Sequence, residues 1–169
     1  NLVTAYWGSN AKRTYHHTAP VNSLYGLHEA LCLLQEEGLE QSWKRHRIHH
    51  LALKAGVEAM GLTLIVPEGE RLPQLNAISL PAGAADQEIR TRLLNEFQLE
   101  IGAGLGDLAG KIWRIGLMGY GSSQKNVLLC VSALDALLRD FTGHKAGEAV
   151  QAVRRAYGAV ISRDGVYAA

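Results

Sequence analysis

The sequence predicts an α+β fold, with helices packed on a small, largely antiparallel sheet. Long stretches with apolar residues at three- and four-residue steps occur together with short β-branched runs that end at proline. Several connections between these runs have hairpin length. The 169 residues suffice for one well-buried domain, and 47% hydrophobic with 20% charged residues excludes the disordered and fibrous classes.

Two helices are predicted first. From Pro20 to Gly38, proline stands in the first turn and glycine just past the end. A second helix is predicted from Leu39 to Met60, stopped by Gly61, with the run KRHR (44–47) on its polar side. The apolar positions of the first helix are Val21, Leu24, Leu27, Leu31 and Leu34.

Strands and helices follow. The runs LTLIVP (62–67) and NAISLP (76–81) each end at a proline and are predicted as strands. Asp86 is predicted to cap a third helix through Gln98. The runs LEIGAG (99–104) and KIWRIGLMG (111–119) are predicted as two more strands.

Two further helices are predicted near the C-terminus. One begins at Ser123 and ends near Phe141, and the other runs from about Gly147 to Tyr157. The stretch 158–169 has no strong period, so it is predicted to be a tail that is flexible or foreign to the domain.

Charge and cysteine content narrow the functional class. A net charge of +1 does not indicate a nucleic-acid partner, and without a run of about 18 apolar residues no membrane span is expected. Cys32 and Cys130 fall within helical patterns, which predicts reduced, buried thiols in the cytoplasm. The apolar run after Asn1 lacks the features of a signal peptide and is typical of an element already under way, so a longer protein is expected.

The glycine-rich stretch GAGLGDLAGK (102–111) has some features of a phosphate loop. The Walker pattern fails because Leu105 and Ile112 stand where a glycine and a hydroxyl residue are required. The looser dinucleotide pattern, read from Gly104 and Gly106, leads into a strand rather than the required helix. A glycine-rich turn between two strands is the favoured interpretation.

His46 and His50 lie four residues apart on one predicted helical face, a spacing that could bind Zn²⁺ together with a third ligand. Arg45 and Arg47 beside them disfavour a cation, so a solvated basic face is the better interpretation and no metal site is predicted. The same face could contact RNA, but it lacks interleaved aromatic residues.

Arg114 stands between apolar neighbours in the middle of a predicted strand. A guanidinium in a half-buried segment needs an anion, and its planar fork suits a carboxylate. The anion could be a ligand, or it could be an aspartate or glutamate in a structural ion pair. The sequence leaves both open.

The stretch RTYHHTAP (13–20) places Tyr15 and Thr18 directly before a helix whose N-terminal amides favour an anion. A phosphate site fits these residues better than a metal site. The alternative is that Thr18 only caps the helix while Tyr15 and His16 pack.

Taken together, TYHHTAP (14–20), GLG (104–106) and RIGL (114–117) resemble the C-terminal part of alanine:glyoxylate (serine:pyruvate) aminotransferases, in the class V group of pyridoxal-phosphate enzymes. The resemblance extends over roughly residues 2–141. It implies a fold type I subunit in which residues 1–19 enter from a large domain, residues 20–157 form the small C-terminal domain, and residues 158–169 are a tail.

The resemblance also implies roles for individual residues. Tyr15 and Thr18 would hydrogen-bond the phosphate of pyridoxal 5′-phosphate held mainly by the other subunit of a homodimer, with His16 and His17 supporting that loop. Arg114 would bind the α-carboxylate of the small-molecule amino acid or oxo acid.

The implied reaction moves an amino group from alanine or serine to glyoxylate or pyruvate, in the cytoplasm or in an organelle such as the peroxisome. In this family the lysine that forms the Schiff base lies well upstream of the Tyr-His-His-Thr stretch, and it has no counterpart among the 169 residues. The isolated chain is therefore expected to be inactive. The alternative is a free-standing, non-catalytic interaction module with the same small-domain fold.

Overall fold

A computed structural model describes residues 18–164, apart from the side chains of 160–164. The chain divides into two units, residues 1–39 and residues 40–169. In the first unit, helix α1 runs from Val21 to Glu37, as predicted, and buries none of its side chains. The domain boundaries predicted at 19–20 and 157–158 stay a prediction.

The second unit combines four helices with a three-stranded sheet, which confirms the α+β fold class. The helices are α2 (Leu39–Ala59), α3 (Asp86–Phe97), α4 (Gln124–Thr142) and α5 (Glu148–Asp164). The strands are β1 (Leu75–Ser79), β2 (Gly102–Ala103) and β3 (Ile112–Gly116). The spatial order is β1-β3-β2 and both pairings are antiparallel, so β3 is the central strand.

The two faces of β3 differ in burial. Trp113 and Ile115 are 0% and 4% exposed, and Trp113 lies opposite the buried Ile78 of β1. Because side chains alternate along a strand, Arg114 and Gly116 belong to the other face. The core on the first face also contains apolar side chains from all four helices, among them Leu53, Ile89, Leu134 and Val153.

Gly56 allows α2 to lie close to the last two helices. A Cβ atom at this position would stand 2.8 Å from Cγ2 of Val153 and 2.9 Å from both γ-carbons of Val131. Such distances are shorter than van der Waals contact, so the packing of α2 requires glycine here.

The predicted strand at 62–67 is wrong. Its pairing with β1 is limited to one bridge, Leu64 to Ile78, flanked by a hydrogen bond from the Ile65 amide to the Ala77 carbonyl. The pairing cannot extend through Pro67, because proline has no N–H to donate. The strand predicted at 99–104 is likewise reduced to β2, two residues long.

Asp86 begins α3 but does not cap it, which corrects a second expectation. Ala85 is the N-cap residue. The Asp86 carboxylate instead accepts hydrogen bonds from Arg90, 2.8 Å from Nε to Oδ1, and from Trp113, 2.9 Å from Nε1 to Oδ1. The carboxylate therefore satisfies the indole N–H of a fully buried ring.

The C-terminal helices follow the sequence pattern with one difference. Ser123 stands at the predicted start of α4 and caps it, accepting a hydrogen bond from the Asn126 amide at 3.2 Å. Helix α5 continues to Asp164, so the predicted end at Tyr157 is too early. Gly158 does not stop it, and residues 165–169 lie outside the described part of the chain. Within the described residues, no helix is both long and apolar enough to cross a membrane.

The glycine-rich stretch is a turn between β2 and β3, as predicted. Gly106 and Gly110 have φ values of 54° and 70°, in the left-handed region. At Gly104 a Cβ atom would stand 1.9 Å from the Leu108 carbonyl oxygen. Gly104 therefore permits an approach of two backbone segments that any side chain would prevent.

We expect the substitution Asp86→Ala to lower the free energy of unfolding by about 1–3 kcal/mol, because the Trp113 indole N–H loses its acceptor inside the core. Urea denaturation measures the change. The exposed pair Arg92–Glu96 provides the control, since Glu96→Ala removes a similar i,i+4 contact without a buried partner. Equal effects of the two substitutions would contradict this assignment.

The stabilisation by Asp86 is expected to depend on pH. The hydrogen bond from Arg90 is the main reason that the pKa of Asp86 lies below its ordinary value of 3.8. A lowered pKa in the folded state means that the contribution is complete above this ordinary value and is lost as the pH falls below it. Urea denaturation at several pH values between about 2 and 5 gives the free energy of unfolding as a function of pH. This free energy should change less with pH in Asp86→Ala than in the wild type.

We expect Gly104→Ala to destabilise the second unit strongly, since the obstructing atom is backbone and cannot rotate away. Gly69→Ala is the matched control, because nothing lies within 4 Å of a Cβ atom at Gly69 and its φ is not positive. Thermal melting measures both, and a Gly104→Ala variant that melts with the control would contradict the close approach.

Candidate functional site

Arg114 lies at the centre of the sheet, half-buried, on the face opposite the core. Its two cross-strand neighbours are small: Ala77 of β1 stands on one side and Gly102 of β2 on the other. A long side chain in the middle strand can lie flat only where the neighbouring strands leave space. The two small residues provide that space.

The guanidinium of Arg114 is held towards β2. Its Nε donates a hydrogen bond of 2.7 Å to the Ala103 carbonyl. A Cβ atom on Gly102 would stand 3.3 Å from Nη2, so the end of the group lies directly over this glycine. The bond at Nε fixes the direction of the side chain, and neither terminal nitrogen has a hydrogen-bond partner among residues 18–164.

Among the described residues, Arg114 has no acidic partner. The ion pairs between described side chains belong to Lys54, Arg90, Arg92 and His144, and no described carboxylate lies within 4.0 Å of Arg114. A structural ion pair within the described chain, one of the two alternatives that the sequence left open, is therefore excluded. A half-buried guanidinium with two unused NH₂ groups can bind a carboxylate through two parallel hydrogen bonds.

Thr18 is the one residue of the predicted phosphate site that the structure describes. It is exposed, and it does not cap α1: Pro20 is the N-cap residue and no side chain accepts a hydrogen bond there. The interpretation of Thr18 as a cap is therefore wrong. The first turn of α1 carries no acidic residue, so its positive end is not neutralised by its own side chains. Tyr15, His16 and His17 lie outside the described residues.

His46 and His50 are buried rather than exposed, so the predicted solvated basic face is wrong at these two positions. They are 6% and 7% exposed, and each makes hydrogen bonds within the second unit. In the described part of the chain no group of three His, Cys, Asp or Glu side chains could hold a metal ion.

The histidine between them, His49, is partly buried and pairs with Tyr157 of α5. Its Nδ1 lies 2.8 Å from the Tyr157 hydroxyl. Burial, followed by the charge of Arg45, lowers the pKa of His49 to about 4, so it is neutral at pH 7. Burial also raises the pKa of the Tyr157 hydroxyl. The pair is an uncharged tie between α2 and α5.

The two cysteines are free. Cys130 is buried, and burial raises the pKa of its thiol to about 12, which rules out a thiolate nucleophile at neutral pH. Cys32 is only partly buried, less than the sequence predicted.

The sequence does not show that three residues contact Arg114, β3 or the turn after it. It places Gly102 in a predicted strand and a glycine-rich turn, Asn76 in a predicted strand and Arg45 in a charged run. Asn76 is 2% exposed, and a buried asparagine within a strand is a signal that could have been used, because a buried amide requires hydrogen-bond partners.

Comparison with known proteins gives a consistent set of relatives. The chain is 43% identical over 153 residues to (S)-ureidoglycine–glyoxylate transaminase of Bacillus subtilis (strain 168), covering 90% of this chain and 36% of that protein. It is 43% identical over 135 residues to alanine–glyoxylate aminotransferase of Callithrix jacchus, covering 79% of this chain and 33% of that protein. Models of protein families give no match.

Solved structures agree with the sequence relatives. The crystal structure of ureidoglycine–glyoxylate aminotransferase from Bacillus subtilis superposes with a TM-score of 0.80 at 42% identity, over 85% of this chain and 37% of that one. The chain thus spans about a third of the length of the relatives that it matches. By sequence and by fold, the chain belongs to the class V aminotransferases of the alanine–glyoxylate group and corresponds to their C-terminal part.

Proposed function

We propose that this chain is the C-terminal portion of a pyridoxal-phosphate-dependent aminotransferase that moves an amino group from alanine or serine to glyoxylate or pyruvate. The observation that carries the proposal is Arg114: a half-buried guanidinium, aligned by the Ala103 carbonyl, with no acidic partner in the described chain. Glyoxylate appears in the names of both sequence relatives, which supports it as the amino acceptor.

Arg114 would bind the carboxylate that amino acids and oxo acids share. Its Nη1 and Nη2 atoms form a fork that matches the two carboxylate oxygens, and the bond from Nε to Ala103 keeps the fork from rotating. Anchoring the carboxylate fixes the orientation of the Cα atom, at which the reaction takes place. Pyridoxal phosphate, when bound, supplies an electron sink for the charge that develops at Cα.

The described residues fit a phosphate group near the start of α1. Thr18 has an exposed hydroxyl that is not used as a helix cap, and the first helical turn has no acid that would repel an anion. Thr18 and Tyr15 would donate hydrogen bonds to the cofactor phosphate bound mainly by the other subunit, which makes the protein a homodimer. The exposed apolar side chains of α1, such as Leu24, Leu27 and Leu31, provide surface for such an association.

The lysine that binds the cofactor would come from the large domain, together with most phosphate ligands. The 169 residues alone are then inactive, and every functional test requires the full-length protein. The place of action would be the cytoplasm or an organelle such as the peroxisome.

We expect Arg114→Gln in the full-length protein to raise the KM for glyoxylate roughly ten- to hundredfold, the equivalent of about 1.5–3 kcal/mol for a hydrogen bond to a charged group. Arg114→Lys keeps the charge without the fork and should recover only part of the affinity. Steady-state kinetics with the exposed Arg92→Gln as control provides the measurement. A normal KM in Arg114→Gln would show that the carboxylate binds elsewhere.

We expect Thr18→Val to raise the dissociation constant of pyridoxal phosphate about tenfold, because one hydrogen bond to a charged phosphate is lost at nearly constant side-chain volume. Absorbance titration of the apoprotein with cofactor measures the constant. Thr91→Val on α3, also exposed, is the matched control. If both variants bind the cofactor as the wild type does, Thr18 is not a phosphate ligand.

A further inference from the structure

Helix α2 carries three polar side chains whose contacts are not explained by any role in binding substrate or cofactor. Arg45 and His46 contact the turn that follows β3, residues 119–122, and His50 contacts Asn76 of β1, which is paired with β3. His46 and His50 are buried, where apolar side chains would cost less. Buried polar side chains can instead fix the arrangement of the elements that they join, because their hydrogen bonds are directional.

His46 is bound at both ring nitrogens. Its Nδ1 lies 2.6 Å from the Ser42 carbonyl oxygen, which can only accept, so Nδ1 carries the hydrogen. Nε2 is then the acceptor for the Gly119 amide, at 3.1 Å. One neutral tautomer satisfies both contacts and ties α2 to the first residue of the turn.

Arg45 holds the same turn at both ends. Its Nη1 donates hydrogen bonds of 2.8 Å to the carbonyl oxygens of Gly119 and Ser122. Asn126 of α4 adds a bond to the Gly121 carbonyl at 2.9 Å. The turn is thereby fixed to two helices immediately after the strand that carries Arg114.

His50 acts on the strand itself through Asn76. The Asn76 amide nitrogen donates to the carbonyl oxygens of Pro73 and Ile115, so its oxygen faces His50 Nδ1, 2.6 Å away. Ile115 is the residue that follows Arg114. The buried pair therefore connects α2 to the backbone of β3 at the residue that follows Arg114.

We infer that Arg45, His46 and His50 are positioning residues for the carboxylate site: through Ile115 and the turn Gly119–Ser122, they hold β3 and with it Arg114 in the orientation that receives the substrate carboxylate. This inference rests on the proposed function. A two-point contact between guanidinium and carboxylate tolerates only small displacements. Contacts on the core face of β3 and in the turn after it would therefore affect binding of the carboxylate by Arg114 on the opposite face.

Variants of the full-length protein test the inference. Each side-chain amide can replace one nitrogen of His46: His46→Gln keeps an acceptor for the Gly119 amide, and His46→Asn keeps a donor for the Ser42 carbonyl. Arg45→Met removes both bonds to the turn, and the exposed Arg47→Met is its matched control. The measurements are the inhibition constant of propionate, which has a carboxylate and no reactive carbonyl or amine, the KM and kcat for glyoxylate, and the melting temperature.

The inference predicts that Arg45→Met and His46→Asn raise the inhibition constant and the KM about tenfold with a smaller change in kcat. His46→Gln and Arg47→Met should remain near the wild type. Equal constants for the Gln and Asn variants of His46, or a lower melting temperature in Arg45→Met with an unchanged inhibition constant, would overturn the inference. If Arg45→Met does not fold, the two His46 variants decide.

Arg114→Gln separates this inference from the proposed function. If Arg114→Gln weakens propionate and the variants of Arg45 and His46 do not, the positioning role is wrong and the carboxylate role stands. If Arg114→Gln itself binds propionate normally, the proposed function fails, and the inference fails with it.

Discussion

The candidate site depends on one constraint, the positive charge of Arg114 in the central strand of a three-stranded sheet. A half-buried guanidinium costs free energy unless an anion or several acceptors compensate for its lost hydration. In the described chain Arg114 has one acceptor, the Ala103 carbonyl, and no carboxylate. The sheet leaves space for the Arg114 side chain, because its cross-strand neighbours Ala77 and Gly102 are small. A glycine-rich turn joins β2 to β3.

The opposite face of the same strand supplies the rigidity. Trp113 and Ile115 pack into the core, and the Trp113 indole is bound to Asp86 at the start of α3. Polar contacts from α2 then hold the turn beyond the strand directly, and they reach the end of the strand through Asn76 of β1. Arg114, which has no carboxylate partner among the described residues, thus lies on a strand held by both apolar packing and directed hydrogen bonds, as the proposed binding of a carboxylate would require.

Local pattern was sufficient for the helices and insufficient for the polar core. The bounds of α1 to α4 follow from periodicity, from proline and glycine at the ends and from Ser123 at the start of α4, all of which act within a few residues. His46 and His50 were assigned to a solvated face because their partners are remote: Gly119 is 73 residues away from His46, and Asn76 is 26 residues away from His50. Asp86 was taken for a cap for the same reason, since Trp113 lies 27 residues further on. Arg114 stands out as a candidate because a lone charge between apolar strand residues is itself a local signal.

The central claim is that Arg114 receives the carboxylate of the substrate, and one structure tests it most directly. A crystal structure of the full-length protein with bound propionate should show both carboxylate oxygens at about 2.7–2.9 Å from the terminal nitrogens of Arg114, with Nε still on the Ala103 carbonyl. A guanidinium paired instead with an aspartate or glutamate from the rest of the protein, and propionate bound elsewhere, would contradict the account.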